Sequence, residues 1–430
     1  MVTKYKQTEI GAIPDDWDVM PFGDTFAFLS NNTLSRDQLN YDGGMIKNVH
    51  YGDVLILFPE LLDCARTDIP YVNNNVHISC QPLQNGDIVI ADTAEDETVG
   101  KATEIINKGK NQIVSGLHTI PCRVVKGQFA PGWLGYFINS HYYHDQLLPY
   151  IHGTKVSSIA RESLKKTYVV IPPYEEQEKI VQSLSDMDAL IAQSEQVVKK
   201  YQALKETCLQ HMFPRKGQTE PDMRLPGFTG AWEQRKLGEL ADVTKLAGFE
   251  FTKYVTYSDT GNIIALRGMN IKNNNLILDN IKYIDGSDFS KLKRSKLFVN
   301  DILFTYVGTI GELVVIKEND KYYLAPNVAR IRIKDNIDPE FIAQLMESDD
   351  FYNNMIFPLI ATSSQPALSM ENIRKFLLSL PKNTEEQIQI STVFKKLNNI
   401  ITLHQRKCEK LKLMKQGMME ELLTGKVRLV

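Results

Sequence analysis

Residues 171–213 read IPPYEEQEKIVQSLSDMDALIAQSEQVVKKYQALKETCLQHMF, and residues 380–423 read LPKNTEEQIQISTVFKKLNNIITLHQRKCEKLKLMKQGMMEELL. Both stretches place Glu-Glu-Gln shortly after proline, and both then carry mainly apolar residues at alternating steps of four and three. That spacing returns each such residue to one face of an α-helix, as in the seam of a coiled coil. The two stretches therefore predict two long helices, over residues 175–213 and 385–423.

The seam positions of the two predicted helices correspond one to one at an interval of 210 residues. Eight of ten in each helix are apolar, and these residues are Ile180, Leu184, Met187, Ile191, Val198, Tyr201, Cys208 and Met212, then Ile390, Phe394, Leu397, Ile401, Cys408, Leu411, Met418 and Leu422. The two polar interruptions also coincide, Ser194 with His404 and Lys205 with Lys415. Two matched seams bury their apolar faces most economically against each other, so an antiparallel coiled coil is predicted. The alternative for either helix alone is a core helix of a globular domain.

The repeat extends outward from the helices into the rest of the chain. Trp17 matches Trp232, and each precedes a glycine by six residues. Residues 85–90 (NGDIVI) match residues 299–304 (VNDILF) at an offset of 214. A period of this length means two copies of a whole domain, each followed by its helix.

The predicted fold is therefore an α+β chain in which two duplicated mixed α/β domains are joined by two long antiparallel coiled-coil helices. The predicted boundaries are residues 1–170 for the first domain, 171–214 for the first connector helix, 215–224 for a linker, 225–380 for the second domain, and 381–430 for the second connector helix with a C-terminal tail. Short apolar runs predict strands at Val54–Phe58, Ile88–Ala91, Ile263–Arg267, Ile302–Tyr306, Leu313–Ile316 and Ala329–Ile333. Short helices are predicted at Trp133–Asn139 and Phe341–Glu347. The copies match at their edges and differ in their middles, which favours one frame with two different surfaces.

Composition excludes several classes of protein. The 430 residues carry a formal net charge of −3, and no apolar run approaches the length of a membrane span. No secretory signal is visible, and the five cysteines contain no Cys-x-x-Cys pair, so a cytoplasmic location is predicted. Disulfide frameworks and metal sites are not expected, and His141 with His144 is interpreted as part of a surface helix.

Catalytic motifs are missing as well. The sequence contains neither a phosphate-binding G-x-x-x-x-G-K-[ST] loop nor a G-x-S-x-G nucleophile motif. Ile171-Pro172-Pro173-Tyr174 resembles the Asn/Asp-Pro-Pro-Tyr/Phe motif of DNA amino-methyltransferases, but Ile171 has no side-chain acceptor for a target amino group. The chain is therefore predicted not to be an enzyme.

Basic residues interleaved with amide side chains are the remaining functional lead. Residues 290–296 carry four positive charges, and further basic groups occur in both copies. Lysine and arginine neutralise phosphates, whereas arginine, asparagine and glutamine can pair with base edges. The candidate DNA-binding residues are Lys101, Lys108, Lys110, Lys155, Arg161, Arg267, Asn270, Lys272, Lys291, Lys293, Arg294, Lys296 and Gln365. The alternative for any one run is a solvated surface, and Asp285 and Asp288 could neutralise the densest run locally.

With its duplicated motifs in this order, the chain resembles the specificity (HsdS) subunits of type I restriction-modification enzymes. The resemblance covers essentially the whole chain. It rests on the Ile13-Pro14 … Trp17 opening, the Asp-Ile strands, the Glu-Gln helix starts, the long seams and the ending Leu-Leu-Thr-Gly-Lys of residues 422–426.

The resemblance implies two target-recognition domains, each recognising one half of a bipartite, asymmetric DNA sequence. It implies double-stranded DNA and two methyltransferase subunits as partners, with two restriction/translocase subunits in systems that cleave. S-adenosylmethionine, ATP and Mg²⁺ would then bind only to partner subunits, and this chain would need no cofactor. Two alternatives compete: a coiled-coil adaptor with two protein-binding heads, and a stand-alone nuclease or methylase.

Overall fold

The computed structural model describes residues 4–74, 76–153, 155–334, 336–360 and 366–429. The chain divides into two compact units, with residues 1–194 and 407–430 in unit 1 and residues 195–406 in unit 2. Each unit therefore contains one globular copy, the beginning of the long helix that follows that copy, and the end of the other long helix.

The first copy contains short strands and helices, followed by the long helix α6. Its strands are β1 (Tyr5–Thr8), β2 (Gly11–Pro14), β3 (Asp18–Pro21), β4 (Phe26–Phe28), β5 (Leu39–Asn40), β6 (Ile46–Val49), β7 (Leu61–Asp63), β8 (Tyr71–Val72), β9 (Ile88–Ala91), β10 (Thr93–Ala94), β11 (Ala102–Ile106), β12 (Gln112–Ser115), β13 (Thr119–Val124), β14 (Ser157–Ser158) and β15 (Tyr168–Ile171). Its helices are α1 (Phe22–Thr25), α2 (Tyr51–Ile56), α3 (Trp133–Ile138), α4 (His141–Leu147), α5 (Arg161–Leu164) and α6 (Tyr174–His211).

The second copy has the same general plan and ends in the long helix α12. Its strands are β16 (Glu233–Lys236), β17 (Ala241–Lys245), β18 (Ile264–Leu266), β19 (Ile271–Lys272), β20 (Asn275–Leu276), β21 (Lys282–Tyr283), β22 (Ile302–Thr305), β23 (Leu313–Val315), β24 (Tyr322–Leu324), β25 (Val328–Ile333) and β26 (Leu377–Leu380). Its helices are α7 (Leu237–Leu240), α8 (Gly248–Tyr254), α9 (Pro339–Glu347), α10 (Asp349–Phe351), α11 (Met370–Arg374) and α12 (Thr384–Leu422).

The central sheets of the two copies have the same strand order. In unit 1 the order is β4-β13-β9-β11-β7, and in unit 2 it is β17-β25-β22-β23. The additional strand β7 pairs in parallel with β11. A second, smaller sheet accompanies each central sheet, with the order β12-β6-β8-β5 in unit 1 and β21-β18-β24 in unit 2. The duplication seen in the sequence is thus a duplication of the frame.

Alternating side chains of the central strands contribute to two different cores in each copy. Ile88 and Ile90 join the core that contains residues of the long helices, whereas Val89 joins the core beside the small sheet. In unit 2, Phe304 and Leu303 divide in the same way. Successive residues of a strand point to opposite faces, so one apolar run fills both cores.

The glycine that follows each repeated tryptophan marks a close approach between two short helices. A Cβ atom on Gly23 of α1 would lie 3.3 Å from the Cβ of Lys165, which follows α5. On Gly238 of α7 it would lie 3.0 Å from the Cβ of Arg374 in α11. The repeated Trp-x₅-Gly spacing is therefore explained by the same packing contact in both copies.

The long helices begin and end within two residues of the predicted bounds. Every seam position is buried or half-buried, including the four polar ones, whereas neighbours such as Leu190 and Leu403 are exposed. Near the copies the seams join the domain cores. Ile180, Leu184 and Leu422 belong to one core in unit 1, and Met212 and Phe394 belong to one core in unit 2.

Within each unit the two long helices run antiparallel. In unit 1, Lys415 of α12 forms an ion pair with Asp188 of α6 at 2.7 Å, and Arg428, after α12, reaches Glu176 at the beginning of α6. In unit 2, Phe213, just beyond the end of α6, stacks on Phe394 near the beginning of α12 at 5.8 Å. The beginning of one helix thus lies beside the end of the other.

A buried arginine–glutamate clamp fixes that arrangement in each unit. Arg428 donates two hydrogen bonds to the buried Glu176, at 2.7 and 2.8 Å. Arg224, after α6, donates two to the buried Glu386 of α12, at 2.8 and 2.9 Å. Paired N–H···O bonds between a guanidinium and a carboxylate combine charge with a fixed geometry. The indole of Trp17 adds a third donor to Glu176 at 2.9 Å.

The glutamine of each Glu-Glu-Gln sequence closes the helix start. The Gln177 side chain accepts from the Ala130 backbone N–H and donates to the Pro172 carbonyl, both at 2.8 Å. Gln387 makes the corresponding bonds to Asp338 and Pro381, at 3.1 and 3.2 Å. The motif therefore ties the helix start to the loop in front of α3 or α9.

The lysines in the seams contact carboxylates of the globular copies. Lys415 lies 2.8 Å from Glu60, in addition to Asp188, and Lys205 lies 2.7 Å from Glu347. All of these side chains are at most about one-third exposed. The polar interruption repeated in both seams thus marks where each helix end docks on a globular copy.

One predicted strand is wrong. Residues Val54–Phe58 do not form a strand, because Tyr51–Ile56 is helix α2. The His50 side chain accepts the Gly52 N–H at its start, and the buried Asp53 pairs with Arg36 at 2.7 Å. A short apolar run cannot by itself distinguish a buried strand from a buried helix. The other predicted strands and both short helices are present, with ends shifted by up to two residues.

The burial pattern of α6 predicts a sharp contrast between two adjacent substitutions. Ile191 is 8% exposed and Leu190 is 46% exposed. We expect Ile191→Asp to destabilise the chain by several kcal/mol, because it buries an unpaired charge. Leu190→Asp should change stability by less than about 0.5 kcal/mol. Denaturant unfolding of both variants measures the difference, and equal stability of the two would contradict the proposed seam.

Candidate nucleic-acid interface

A groove of about 560 Å³ with a mixed apolar and polar lining opens on the surface of unit 2, and one carboxylate, that of Glu312, lies in this lining. Arg267 and Lys272, two of the predicted DNA-binding residues, line it together with Tyr257, Thr309 and Asn327. Arg267 follows β18, and its guanidinium donates to the Asn280 carbonyl. The groove thus combines cationic, amide, hydroxyl and aromatic side chains, the types that contact phosphates and base edges.

Asn270 has a different role from the one predicted. Its side chain is fully buried, and its amide donates to the carbonyls of Ile277 and Asp279 at 2.9 and 3.4 Å. It also accepts the backbone N–H of Arg267 at 3.2 Å. Asn270 therefore shapes the loop that carries Arg267 and is not available to a base edge.

The basic run of residues 290–296 is fixed by three buried residues and presents its cations outward. Leu292, Ser295 and Leu297 are buried, whereas Lys291 and Lys293 are exposed. Neither lysine has a carboxylate within salt-bridge distance in the parts of the chain that the structure describes. Their charges are therefore available to phosphates.

The neighbouring acids are engaged elsewhere. Asp285 accepts the backbone N–H groups of Asn262 and Ile263, and Asp288 accepts the backbone N–H and hydroxyl of Ser290. These two carboxylates stabilise loops and do not neutralise the lysines.

The other two cations of the run differ from the lysines. Arg294 is exposed and donates to the Thr244 hydroxyl at 2.9 Å. Lys296 pairs with Asp320 at 2.5 Å, and this hydrogen bond raises the pKa of the lysine. Lys296 is therefore the least available cation of the run.

The structure separates the candidate residues of unit 1. Lys101 precedes β11, whereas Lys108 and Lys110 follow it. Lys108 is therefore seven steps along the chain from Lys101, roughly 23 Å if the chain is extended. Lys101 donates to the Leu55 carbonyl at 2.9 Å, and burial lowers its pKa. Lys101 is thus used within the fold, whereas Lys110 is exposed.

The remaining candidates of unit 1 lie near the β10–β14 pair. Lys155 is exposed, and Arg161 at the start of α5 is half-buried. Arg161 donates to the Leu29 carbonyl at 3.1 Å and lies over the Phe28 ring. Gln365, a candidate in the sequence of the second domain, lies outside the described residues.

Neither a metal site nor a membrane span emerges from the described residues. In those residues no group of three or more histidine, cysteine, aspartate or glutamate side chains could hold a metal ion. His141 and His144 lie on α4, where His144 lies 3.2 Å from the Val99 carbonyl. Among the described helices, none is both long and apolar enough to cross a membrane.

Sequence reasoning did not find the clamp residues. Glu176 and Glu386 were visible only as part of a repeated Glu-Glu-Gln motif, and their arginine partners are 252 and 162 residues away. An arginine follows each long helix, but Arg215 follows α6 more closely than the clamp residue Arg224, so this signal alone would not have found both clamps.

Comparison with known proteins identifies the family. The family model described as "Type I restriction modification DNA specificity domain" matches residues 14–202 and again residues 230–413. The chain is 24% identical over 455 residues to the putative type I restriction enzyme MjaX specificity subunit of Methanocaldococcus jannaschii, covering 99% of this chain and 96% of that protein. It is 22% identical over 423 residues to the type I restriction enzyme EcoKI specificity subunit of Escherichia coli K12, covering 91% and 86%.

Solved structures show the same fold. The S subunit of the type I restriction-modification system from M. genitalium superposes with a TM-score of 0.55 at 12% identity, covering 98% of this chain and 99% of that chain. A chain from a study of complex assembly and conformational transition of the type I R-M system superposes with a TM-score of 0.57 at 14% identity, covering 96% and 99%. The resemblance noted in the sequence is confirmed, and the chain belongs to the family of type I restriction-modification DNA specificity subunits, with two specificity domains in tandem.

Proposed function

We propose that the chain is the non-catalytic subunit of a type I restriction-modification complex that recognises a bipartite, asymmetric DNA sequence. The globular copy of each unit recognises one half of that sequence. The long helices dock two methyltransferase subunits and, through them, restriction subunits, in the cytoplasm. S-adenosylmethionine, ATP and Mg²⁺ bind to those partner subunits and not to this chain.

The main support for this proposal is that the two units share one central-sheet arrangement but differ in the smaller sheet and its surface. The central sheets share their strand order, and the Asp-Ile strands, the Gln-closed helix starts and the clamps recur in both units. The small sheets differ, with four strands in unit 1 and three in unit 2. Two surfaces of unlike chemistry on a common frame suit two half-sites of unlike sequence.

Apolar side chains on the long helices support the docking of protein partners. Leu190 and Leu413 in unit 1 and Ile388 and Leu403 in unit 2 are 46%, 68%, 46% and 63% exposed. Leucine and isoleucine side chains exposed on these helices offer apolar area that a bound protein subunit would bury. Partner subunits would also supply positive charge around the duplex, because the chain itself has a net charge of −3.

Exchange of one recognition domain tests the proposal. We expect a chain in which residues 225–380 are replaced by those of another specificity subunit to change one half of the methylated target and leave the other half intact. The measurement is methylation mapping of the host genome, with the wild-type chain expressed alongside its neighbouring methyltransferase as the control. A change in both halves, or normal methylation without this chain, would contradict the proposal, and partner binding with no sequence-specific methylation would favour the protein adaptor.

The exposed lysines of unit 2 give a second prediction, from salt dependence. If Lys293 contacts a phosphate, Lys293→Ala should weaken binding of the assembled complex to all DNA sequences. It should also reduce the slope of log K against log salt by about 0.9. Lys296→Ala is the matched control with a smaller effect, because Lys296 is already paired with Asp320. Equal slopes for wild type and Lys293→Ala would show that Lys293 does not contact a phosphate in the complex.

A further inference from the structure

The two units have an equivalent residue immediately before a central strand. His118 precedes β13 and Asn327 precedes β25, and these strands occupy the same place in the two sheets. The His118 carbonyl accepts the Asp92 N–H at 3.1 Å, and the Asn327 carbonyl accepts the Tyr306 N–H at 3.2 Å. The frame therefore superimposes the two positions even though their side chains differ.

Both residues have a backbone conformation that favours glycine. The φ angle is +52° at His118 and +71° at Asn327. Side chains other than glycine rarely adopt this region, although asparagine and histidine tolerate it better than most. Another equivalent pair, Gly86 (φ +83°) and Asn300 (φ +72°), has the same backbone conformation. One copy uses glycine there, so that turn needs only the backbone conformation and no particular side chain. At His118 and Asn327 neither copy uses glycine, and both present an exposed polar side chain.

The surroundings of Asn327 include the types of side chain that contact nucleic acid. Asn327 lines the groove that also contains Arg267, Lys272 and Thr309. The groove places this exposed amide among two cations, a hydroxyl and the Glu312 carboxylate, and that carboxylate accepts the backbone N–H of Asn273 at 2.7 Å. The cations can neutralise phosphates beside the base that the amide contacts.

His118 is also positioned by its neighbours. Its Nδ1 lies 3.3 Å from the Asp92 carboxylate and 3.3 Å from the Thr93 hydroxyl. Its ring meets that of Tyr51 edge to face, at a centroid distance of 5.3 Å. These contacts orient the imidazole and leave it exposed on the equivalent face of unit 1.

We propose that His118 and Asn327 are equivalent specificity-determining residues, each of which contacts a base edge in its own half-site. This inference rests on the proposed function, DNA recognition by both units. An asparagine amide can pair with the N6 and N7 atoms of adenine, whereas an imidazole offers one donor or acceptor nitrogen to a base edge. Different side chains at one position of a shared frame then give the two halves of the target different sequences.

Glycine substitutions separate this role from a structural one. Asn327→Gly and His118→Gly remove the side chain and retain the backbone conformation, so a purely structural role predicts an unchanged target, even where the lost His118 contact to Asp92 lowers stability. The matched controls are Asn300→Gly in unit 2 and Asn107→Gly in unit 1. Both asparagines are exposed and have a positive φ: Asn300 (φ +72°) lies before β22, and Asn107 (φ +50°) follows β11. The assembled methyltransferase complex is used throughout, with methylation mapping and binding to a library of DNA targets.

We expect Asn327→Gly to relax one base pair in one half of the target and His118→Gly to relax one base pair in the other half. Discrimination at that base pair should fall about 5- to 150-fold, while the controls keep the wild-type target. If the wild-type complex is specific and both variants keep the full target, or both relax the same half, the inference is wrong and the proposed function stands. If the wild-type complex has no target sequence, the proposed function fails first, and the inference fails with it.

Discussion

The fold of each unit depends on a buried carboxylate at the start of one long helix that is neutralised by an arginine following the other long helix. Glu176 and Glu386 lie in the first turns of the two long helices, and both are at most 1% exposed. Their arginine partners arrive from the segments that follow the opposite helices. A buried charge without a partner is strongly destabilising, so neither helix start can be buried unless the end of the other helix is beside it. The antiparallel order of the helices within each unit follows from this requirement.

The same frame explains how one chain can present two recognition surfaces. The clamps, the glutamine bonds, the seam lysines and the central sheets recur in both units, and these features fix the position of the long helices on each copy. The small sheets and the loops beside them are free of those constraints, because their cores lie on the other face of the central sheet. Changes there can alter the surface chemistry without disturbing the clamps.

The sequence predicted the parts of the structure in which apolar residues follow a helical or strand-like spacing. The seams and the helix bounds follow from steps of four and three, and the central strands follow from short apolar runs between turn residues. The helix at Tyr51–Ile56 was missed because a short apolar run does not distinguish a strand from a helix, and because the Arg36–Asp53 pair joins residues 17 apart in the sequence. The clamps were missed for a related reason, since their partners are more than a hundred residues apart. Lys293 and Asn270 were both predicted to bind DNA from their residue types. Residue type alone does not show that Lys293 is exposed and Asn270 is buried. The equivalence of His118 and Asn327 depends on matching strand pairing and backbone hydrogen bonds, which no sequence pattern reveals.

Hydrogen exchange of the long helices tests the role of the clamps most directly. Loss of the arginine leaves a buried carboxylate without its counter-charge, a cost of about 3 kcal/mol, which corresponds to an exchange rate more than about 100-fold faster. Arg428→Ala should therefore accelerate exchange in residues 174–194 and 407–422 and leave residues 195–211 and 384–406 unchanged, and Arg224→Ala should have the reverse effect. Arg235→Ala, which breaks an exposed pair with Glu239, should change neither. Unchanged exchange in both clamp variants, or acceleration in the opposite unit, would contradict the account.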